Sequence, residues 1–131
     1  MPEYEEVGMW ANLGARMLVL RPGEAVVEAT LTPEAHGFPS SMGTIVHGGA
    51  LAALADMALA SAAASLTEDG LSVATVDLKV DFLRPGQPGR LRARSSIRRR
   101  TRHLCFAGAT VEQEDGSIVV EARAVLAFVD G

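Results

Sequence analysis

The stretch from His47 to Thr67, HGGALAALADMALASAAASLT, constrains the chain more than any other. It contains no proline, no β-branched residue before Thr67, and a preponderance of Ala, Leu and Met, the best helix formers, so it reads as one long helix. The stretch is apolar nearly all round, and a helix of that kind needs cover on most of its sides. The rest of the chain must provide it. At 131 residues the whole length, 1–131, reads as a single domain, and a two-domain cofactor enzyme is excluded. Aromatic residues make up only 5%, so the core must be built from Ala, Val and Leu, whose small side chains let backbone elements approach closely.

The cover is read as strands. Ala15 to Leu20 and Ala25 to Leu31 are short apolar runs separated by Arg21, Pro22, Gly23 and Glu24, a hairpin signal. Residues 3 to 13 suggest a short helix, and Thr32 to Met42, with two prolines and a glycine, reads as a loop. After Gly70 every segment reads as strand. Leu71 to Leu83 alternates Val76, Leu78, Val80 and Phe82 against Asp77, Lys79 and Asp81. Arg84 to Gly89 is a loop by its prolines and glycines, and Arg90 to Arg99 and Leu104 to Gln113 are strands. An Asp-Gly turn at Glu114 to Ser117 leads into Ile118 to Val129. The expected architecture is α+β: one long central helix wrapped by a curved antiparallel sheet, the last four strands forming a meander.

Between Glu34 and Glu68 the only formally charged side chain is Asp56, in the middle of the apolar helix. At 100° per residue Ser61 and Ser65 lie about 140° and 180° away from it, so the acid does not belong to a polar outer stripe. Its own face carries Gly49, Ala52, Ala60 and Ala63, all small, leaving room for a ligand or a second chain. A titratable group so placed is a candidate for chemistry. At the helix start Gly48 and Gly49 expose backbone N–H groups at the positive end of the helix dipole, where negative charge on a reacting oxygen is stabilised. Eight residues separate Gly48 from Asp56, about 12 Å along one helix. Both cannot touch one carbonyl, so a site using both requires two protomers with their helices side by side.

The net charge of −4 argues against bulk nucleic-acid binding, but eight of the twelve basic residues fall between Arg84 and Arg102 with no acid among them. An anionic partner is expected there. The single cysteine, Cys105, excludes an internal disulfide and a cysteine-based zinc site, and points to a reducing cytoplasm. Its place between Leu104 and Phe106 makes it a small core or interface residue rather than a nucleophile. His36, His47 and Asp56 have no compact metal-ligand spacing, and no metal or other cofactor is expected. Glu3, Glu5 and Glu6 are the opposite of the basic start of an export signal, and Asp56 would sit at the centre of any membrane span, so neither export nor membrane insertion is expected.

The segment HGGALAALADMALASAA resembles the HGG-x-x-x-x-L-x-D signature of hotdog-fold thioesterases of the phenylacetate-pathway (PaaI-like) type. ATVDLKVDFLRP and the strands after it resemble the remainder of that fold, the likeness covering about residues 12 to 129. The resemblance implies acyl-CoA thioester hydrolysis, with an aryl or medium aliphatic acyl group, by a dimer that pairs into a tetramer. It makes Asp56 the general base or nucleophile and the Gly48 N–H of the partner subunit the oxyanion donor. His47 orients the turn or helps polarise the carbonyl, Gly49 counts among the substrate-binding residues, and Thr75 positions water or substrate. Ser41 falls where some members carry an Asn near the thioester. The segment Arg98 to Leu104 resembles the one that binds the coenzyme A phosphates, with Arg99, Arg100, Arg102 and His103 as the residues concerned and Arg84 in support.

Three other readings stand beside this one. A hotdog module could hold acyl-CoA without cutting it, as a ligand sensor, but a sensor gains nothing from an acid beside the carbonyl. Hotdog dehydratases use a differently placed His and Asp pair. A nucleic-acid binder acting through the arginines would need interleaved aromatics for base stacking, and these are missing.

Overall fold

The computed structural model describes residues 2–67 and 71–130. Its helices are α1 (Gly8–Asn12), α2 (Pro33–His36) and α3 (Gly48–Ala64), preceded by a 3-10 turn at Glu3–Glu6. Its strands are β1 (Arg16–Arg21), β2 (Glu24–Leu31), β3 (Gly37–Ser40), β4 (Gly43–Val46), β5 (Leu71–Phe82), β6 (Gly89–Arg100), β7 (Leu104–Glu112) and β8 (Ile118–Asp130). Six strands form one antiparallel sheet in the order β1-β2-β6-β7-β8-β5, and β3 pairs with β4 in a separate hairpin.

The sheet cups α3. Leu51, Leu54, Ala55, Ala58, Leu59 and Ala62 of the helix are buried against it. The concave side is lined largely by alanines, with Ala93, Ala107, Ala109, Ala122 and Ala124 all buried beside Val27, Leu91, Val111 and Leu126. Each buried leucine or valine contributes roughly 1.5–3 kcal/mol, while the alanines let helix and sheet close to short range. Buried Ser95 fits this contact because its hydroxyl donates to the Ala58 carbonyl of α3. The helix begins at His47, whose Nδ1 accepts from Gly49 N–H at 2.9 Å. It ends at Ala64, short of Thr67, because Ser65 turns its hydroxyl to the Ala62 carbonyl and accepts Gly23 N–H at 2.8 Å, tying the β1–β2 turn to the helix end.

Four expectations need correction. The last four strands are not one meander: β6, β7 and β8 are, while β5 crosses to the far edge and pairs with β8. The segment Thr32 to Met42 is not a loop, since Thr32 caps α2 by accepting Ala35 N–H, and β3 then folds back on β4. The helix expected over residues 3 to 13 is broken at Gly8, where φ is +57°. Finally, α3 is covered on one side only. Ala50, Ala52, Ala53, Asp56, Ala60 and Ser61 remain half-exposed, so the described residues do not by themselves enclose the most apolar element.

The return of β3 requires a glycine at position 37. A Cβ there would land on the Pro33 carbonyl oxygen and lie 2.6 Å from Thr44 Cγ2. Gly37→Ala should therefore lower stability by about 1–3 kcal/mol, read as a lower denaturant midpoint with an unchanged slope; an unchanged midpoint would show that this turn relaxes freely.

Candidate active site

Asp56 meets Thr75 across the gap between α3 and the edge strand β5. The Thr75 hydroxyl donates to Asp56 Oδ1 at 2.8 Å, and Oδ2 has no partner among the described residues. A backbone irregularity makes this possible. In the β5–β8 register Thr75 faces Leu126 and Asp77 faces Val125, leaving Val76 unopposed as a bulge. On one side of the bulge Leu71 and Val73 are the more buried positions, and on the other side Leu78 and Val80 are. The phase therefore changes at Val76, which is 62% exposed rather than directed to the core as strict alternation predicts. The same change turns Thr75 toward the helix.

Beside Asp56 lies an open groove of about 620 Å³ whose lining includes Met9 and Trp10 from α1, Ala60 and Ser61 from α3, and Val73 from β5. Tyr4 supports the wall by packing edge-on against Trp10, with ring centroids 4.7 Å apart. Ser61, which the helical wheel sets well away from Asp56, lines the same groove, because the uncovered flank of α3 is wide. Ala63, assigned to the Asp56 face, is instead fully buried.

At the start of α3 the two glycines differ. Gly49 N–H is taken by His47 Nδ1, and Ala50 N–H by the His47 carbonyl at 3.0 Å. Gly48 N–H has no acceptor among the described residues. The Phe82 ring lies 3.3 Å from where a Gly48 Cβ would stand, packing against the turn. Within one chain Gly48 and Asp56 remain about eight helical rises, or roughly 12 Å, apart.

The remaining predicted residues scatter. Ser41 is exposed at the tip of the β3–β4 hairpin, where Ser40 rather than Ser41 braces the turn by donating to the Gly43 carbonyl at 2.7 Å. The strand length alone carries Ser41 about 13 Å from the helix start. Arg100 donates to the Leu66 carbonyl at 3.0 Å and lies 4.7 Å over the Phe128 ring, so it completes the helix end and packs. Arg99, Arg102 and His103 are exposed near that same end, and neither arginine has a carboxylate partner among the described residues. Arg84 lies at the opposite end. Two residues on, the Gly86 carbonyl holds Val46 N–H just before the helix, and Arg84 acts with the Ser117 hydroxyl and amide to keep the Asp115 carboxyl below its usual range, Ser117 being the larger cause. Arg84 and the Arg99–His103 group are thus separated by the length of α3, about 25 Å, and do not form one cluster in a single chain.

Sequence reasoning weighed His36 only as a metal ligand. It is 7% exposed, and both ring nitrogens are occupied: Nδ1 accepts Thr32 N–H at 2.9 Å, and Nε2 donates to the Asn12 carbonyl at 2.9 Å. Its one sequence signal is a histidine closing a helical turn that begins with Pro33. Lys79 pairs with Asp81 at 3.2 Å on the outer strand face. Among the described residues no helix is long and apolar enough to cross a membrane.

Residues 43–120 match the family model of the thioesterase superfamily. The medium/long-chain acyl-CoA thioesterase YigI of Salmonella typhimurium is 34% identical over 94 residues, covering 62% of this chain and 61% of that protein. The match thus spans about three fifths of that curated relative's length. Among solved structures, a thioesterase family protein from Silicibacter pomeroyi has a TM-score of 0.86 at 29% identity, over 98% of this chain and 93% of the other. The PaaI protein of E. coli, from the phenylacetic acid degradation operon, has a TM-score of 0.85 at 28% identity, over 98% and 88% of the two chains. The α+β arrangement of helix and curved sheet is the hotdog thioesterase fold.

Cys105 lies fully buried in β7, and burial pushes its thiol up, with Arg100 partly opposing. A thiol-specific reagent at pH 8 should therefore label native protein at least tenfold more slowly than unfolded protein; equal rates would place Cys105 at the surface.

Proposed function

The chain belongs to the thioesterase superfamily, and from that premise we propose that it hydrolyses the thioester of an aryl- or medium-chain acyl-CoA to the free acid and coenzyme A. The whole chain acts as one hotdog unit, in a homodimer that pairs further into a tetramer, in a reducing cytoplasm. The observation that carries the reading is the hydrogen bond from Thr75 to Asp56. It fixes one carboxylate oxygen and leaves the other free to take a proton from water or to attack the thioester carbon directly. A thiolate is a good leaving group, so a carboxylate and an oxyanion donor suffice.

The donor is Gly48 N–H. Because it stands roughly 12 Å from Asp56 of its own chain, the reacting carbonyl lies between Asp56 of one protomer and the helix start of the other. The half-exposed flank of α3 and the unpaired edge of β5 are the surfaces that bring two copies together. His47 aims the turn by holding Gly49 N–H, which leaves Gly49 to shape the acyl-CoA path by its lack of a side chain. Arg99, Arg102 and His103 meet the coenzyme A phosphates. Arg84, at the far end of the helix, and Ser41, on its hairpin, reach substrate only across the two-fold arrangement, and Arg100 contributes through the shape of the helix end.

A panel of acyl-CoA substrates tests this. Asp56→Ala and Asp56→Asn should lower kcat by about 10²–10⁴-fold, and Thr75→Val by about 10- to 100-fold. Unchanged turnover in the Asp56 variants rejects the mechanism, and binding without turnover in the native protein favours an acyl-CoA sensor. The cross-protomer geometry has a separate test. His47 has ψ 134°, a conformation suited to a following proline, and the first helical position tolerates proline, so Gly48→Pro removes the donor and keeps the helix. The expected loss is about 10²–10³-fold, against a Gly48→Ala control that crowds Phe82 but keeps the N–H. Mixing Asp56→Ala and Gly48→Pro protomers should rebuild one intact site per hybrid dimer and restore activity. No recovery would place acid and donor in one chain.

A further inference from the structure

We infer that His36 is a positioning residue that sets the oxyanion turn from outside the site and ties it to the wall of the Asp56 groove; the inference rests on the thioesterase reading above. The imidazole cannot act on substrate itself, since the residue is 7% exposed and both nitrogens are bonded. Thr32 N–H must donate to Nδ1, so the proton is on Nε2 and points to the Asn12 carbonyl, with Asn12 Oδ1 at 3.3 Å. The ring is thereby held along both edges, and with it the direction of the residue's own carbonyl.

That carbonyl accepts His47 N–H at 2.8 Å. His47 in turn takes Gly49 N–H on its ring, so an unbroken series of hydrogen bonds runs from the His36 imidazole to the amide next to the free donor of Gly48. The support is stiff for two further reasons. Gly37 lets the chain turn back so closely that no Cβ fits, and Val46 N–H is fixed by the Gly86 carbonyl at 2.8 Å. In the other direction the ring ends on Asn12, the last residue of α1, whose Met9 and Trp10 form the groove wall beside Asp56. One imidazole therefore fastens two parts that, in the proposed dimer, serve two different sites. A misplacement of about 1 Å in an oxyanion donor can cost about 10²-fold in rate, whereas the groove wall keeps two holds that do not involve His36, Ala15 N–H on the Trp10 carbonyl at 2.8 Å and the Tyr4 ring against Trp10, so the groove is little altered when the imidazole is lost.

The test uses His36→Phe, which keeps the ring's bulk and loses both hydrogen bonds, and His36→Gln, which offers a donor and an acceptor on one amide. Both are assayed as full-length protein whose fold is checked by circular dichroism and gel filtration. His36→Phe should lose about 10- to 100-fold in kcat, with KM and the Kd of a non-hydrolysable acyl-CoA thioether within about twofold of native, and His36→Gln should recover part of the loss. In ¹⁵N spectra the Gly48 and Gly49 amides should shift in His36→Phe, while the Thr75 amide stays in place. A folded His36→Phe protein with native kcat, a parallel change in kcat and Kd, or unmoved Gly48 and Gly49 amides overturns the inference. If His36→Phe does not fold, His36→Gln carries the same readouts. If the native protein cleaves no acyl-CoA, the functional reading fails, and the amide shifts still decide whether His36 sets the turn.

Discussion

The structure depends on how closely α3 can approach the sheet. Alanine at many of the contact positions on both surfaces brings the helix close to the concave side, and Leu51, Leu54 and Leu59 then fill the remaining space against Val27, Leu91, Val111 and Leu126. A helix seated that closely lets a short carboxylate at Asp56 reach a short hydroxyl at Thr75 on the edge strand β5. Larger residues at the sheet alanines would lift the helix and open that distance. The poverty in aromatics is therefore part of the site as well as of the core.

Much of this was legible in the sequence because it rests on local pattern. The helix could be read from composition, the β1–β2 and β7–β8 turns from Pro-Gly and Asp-Gly pairs, and Asp56 from its isolation among apolar residues. What escaped depends on contacts distant in sequence. Nothing in the local pattern of β5 says that it pairs with β8 rather than β6, since both choices bury one face and present one edge. The bulge at Val76 was invisible for a related reason: Val76 looks like one more member of an alternating series, and only the register against Leu126 and Val125 shows that it is extra. The roles of His36 and Arg100 were hidden because each depends on a backbone group far along the chain, Asn12 for one and Leu66 for the other.

The two ends of α3 present different groups, and on the proposed reading their separation is what makes a second protomer necessary. The free N–H lies at one end with Phe82, His47 and Arg84, while the exposed Arg99 and Arg102 lie at the other, and Asp56 stands midway. A single chain thus joins Asp56 to Thr75 but leaves the Gly48 N–H and the exposed Arg99 and Arg102 away from them. Two antiparallel helices remove that difficulty, since a shift of half a helix brings the middle of one beside the start of the other. The same flank that stays half-exposed in the isolated chain is the one that such pairing would cover, so burial of apolar surface and completion of the site would be achieved by one contact.

If the proposed site is correct, magnitude decides whether the helix dipole or one particular amide would stabilise the oxyanion. A charge near a helix start gains about 0.3–1 kcal/mol from the dipole, whereas loss of one well-placed oxyanion donor costs about 2.7–4 kcal/mol. On the proposed reading the amide dominates, and a hydrogen bond weakens with angle more steeply than the field of a helix dipole does. Helix starts commonly offer several free N–H groups, but here His47 removes Gly49 and the His47 carbonyl removes Ala50, leaving Gly48 alone. A turn with one available donor cannot compensate for a wrong angle by using its neighbour. On the proposed reading, that is why the hydrogen bonds behind the turn, from Asn12 through His36 to His47, matter as much to the reaction as the residues that face the substrate.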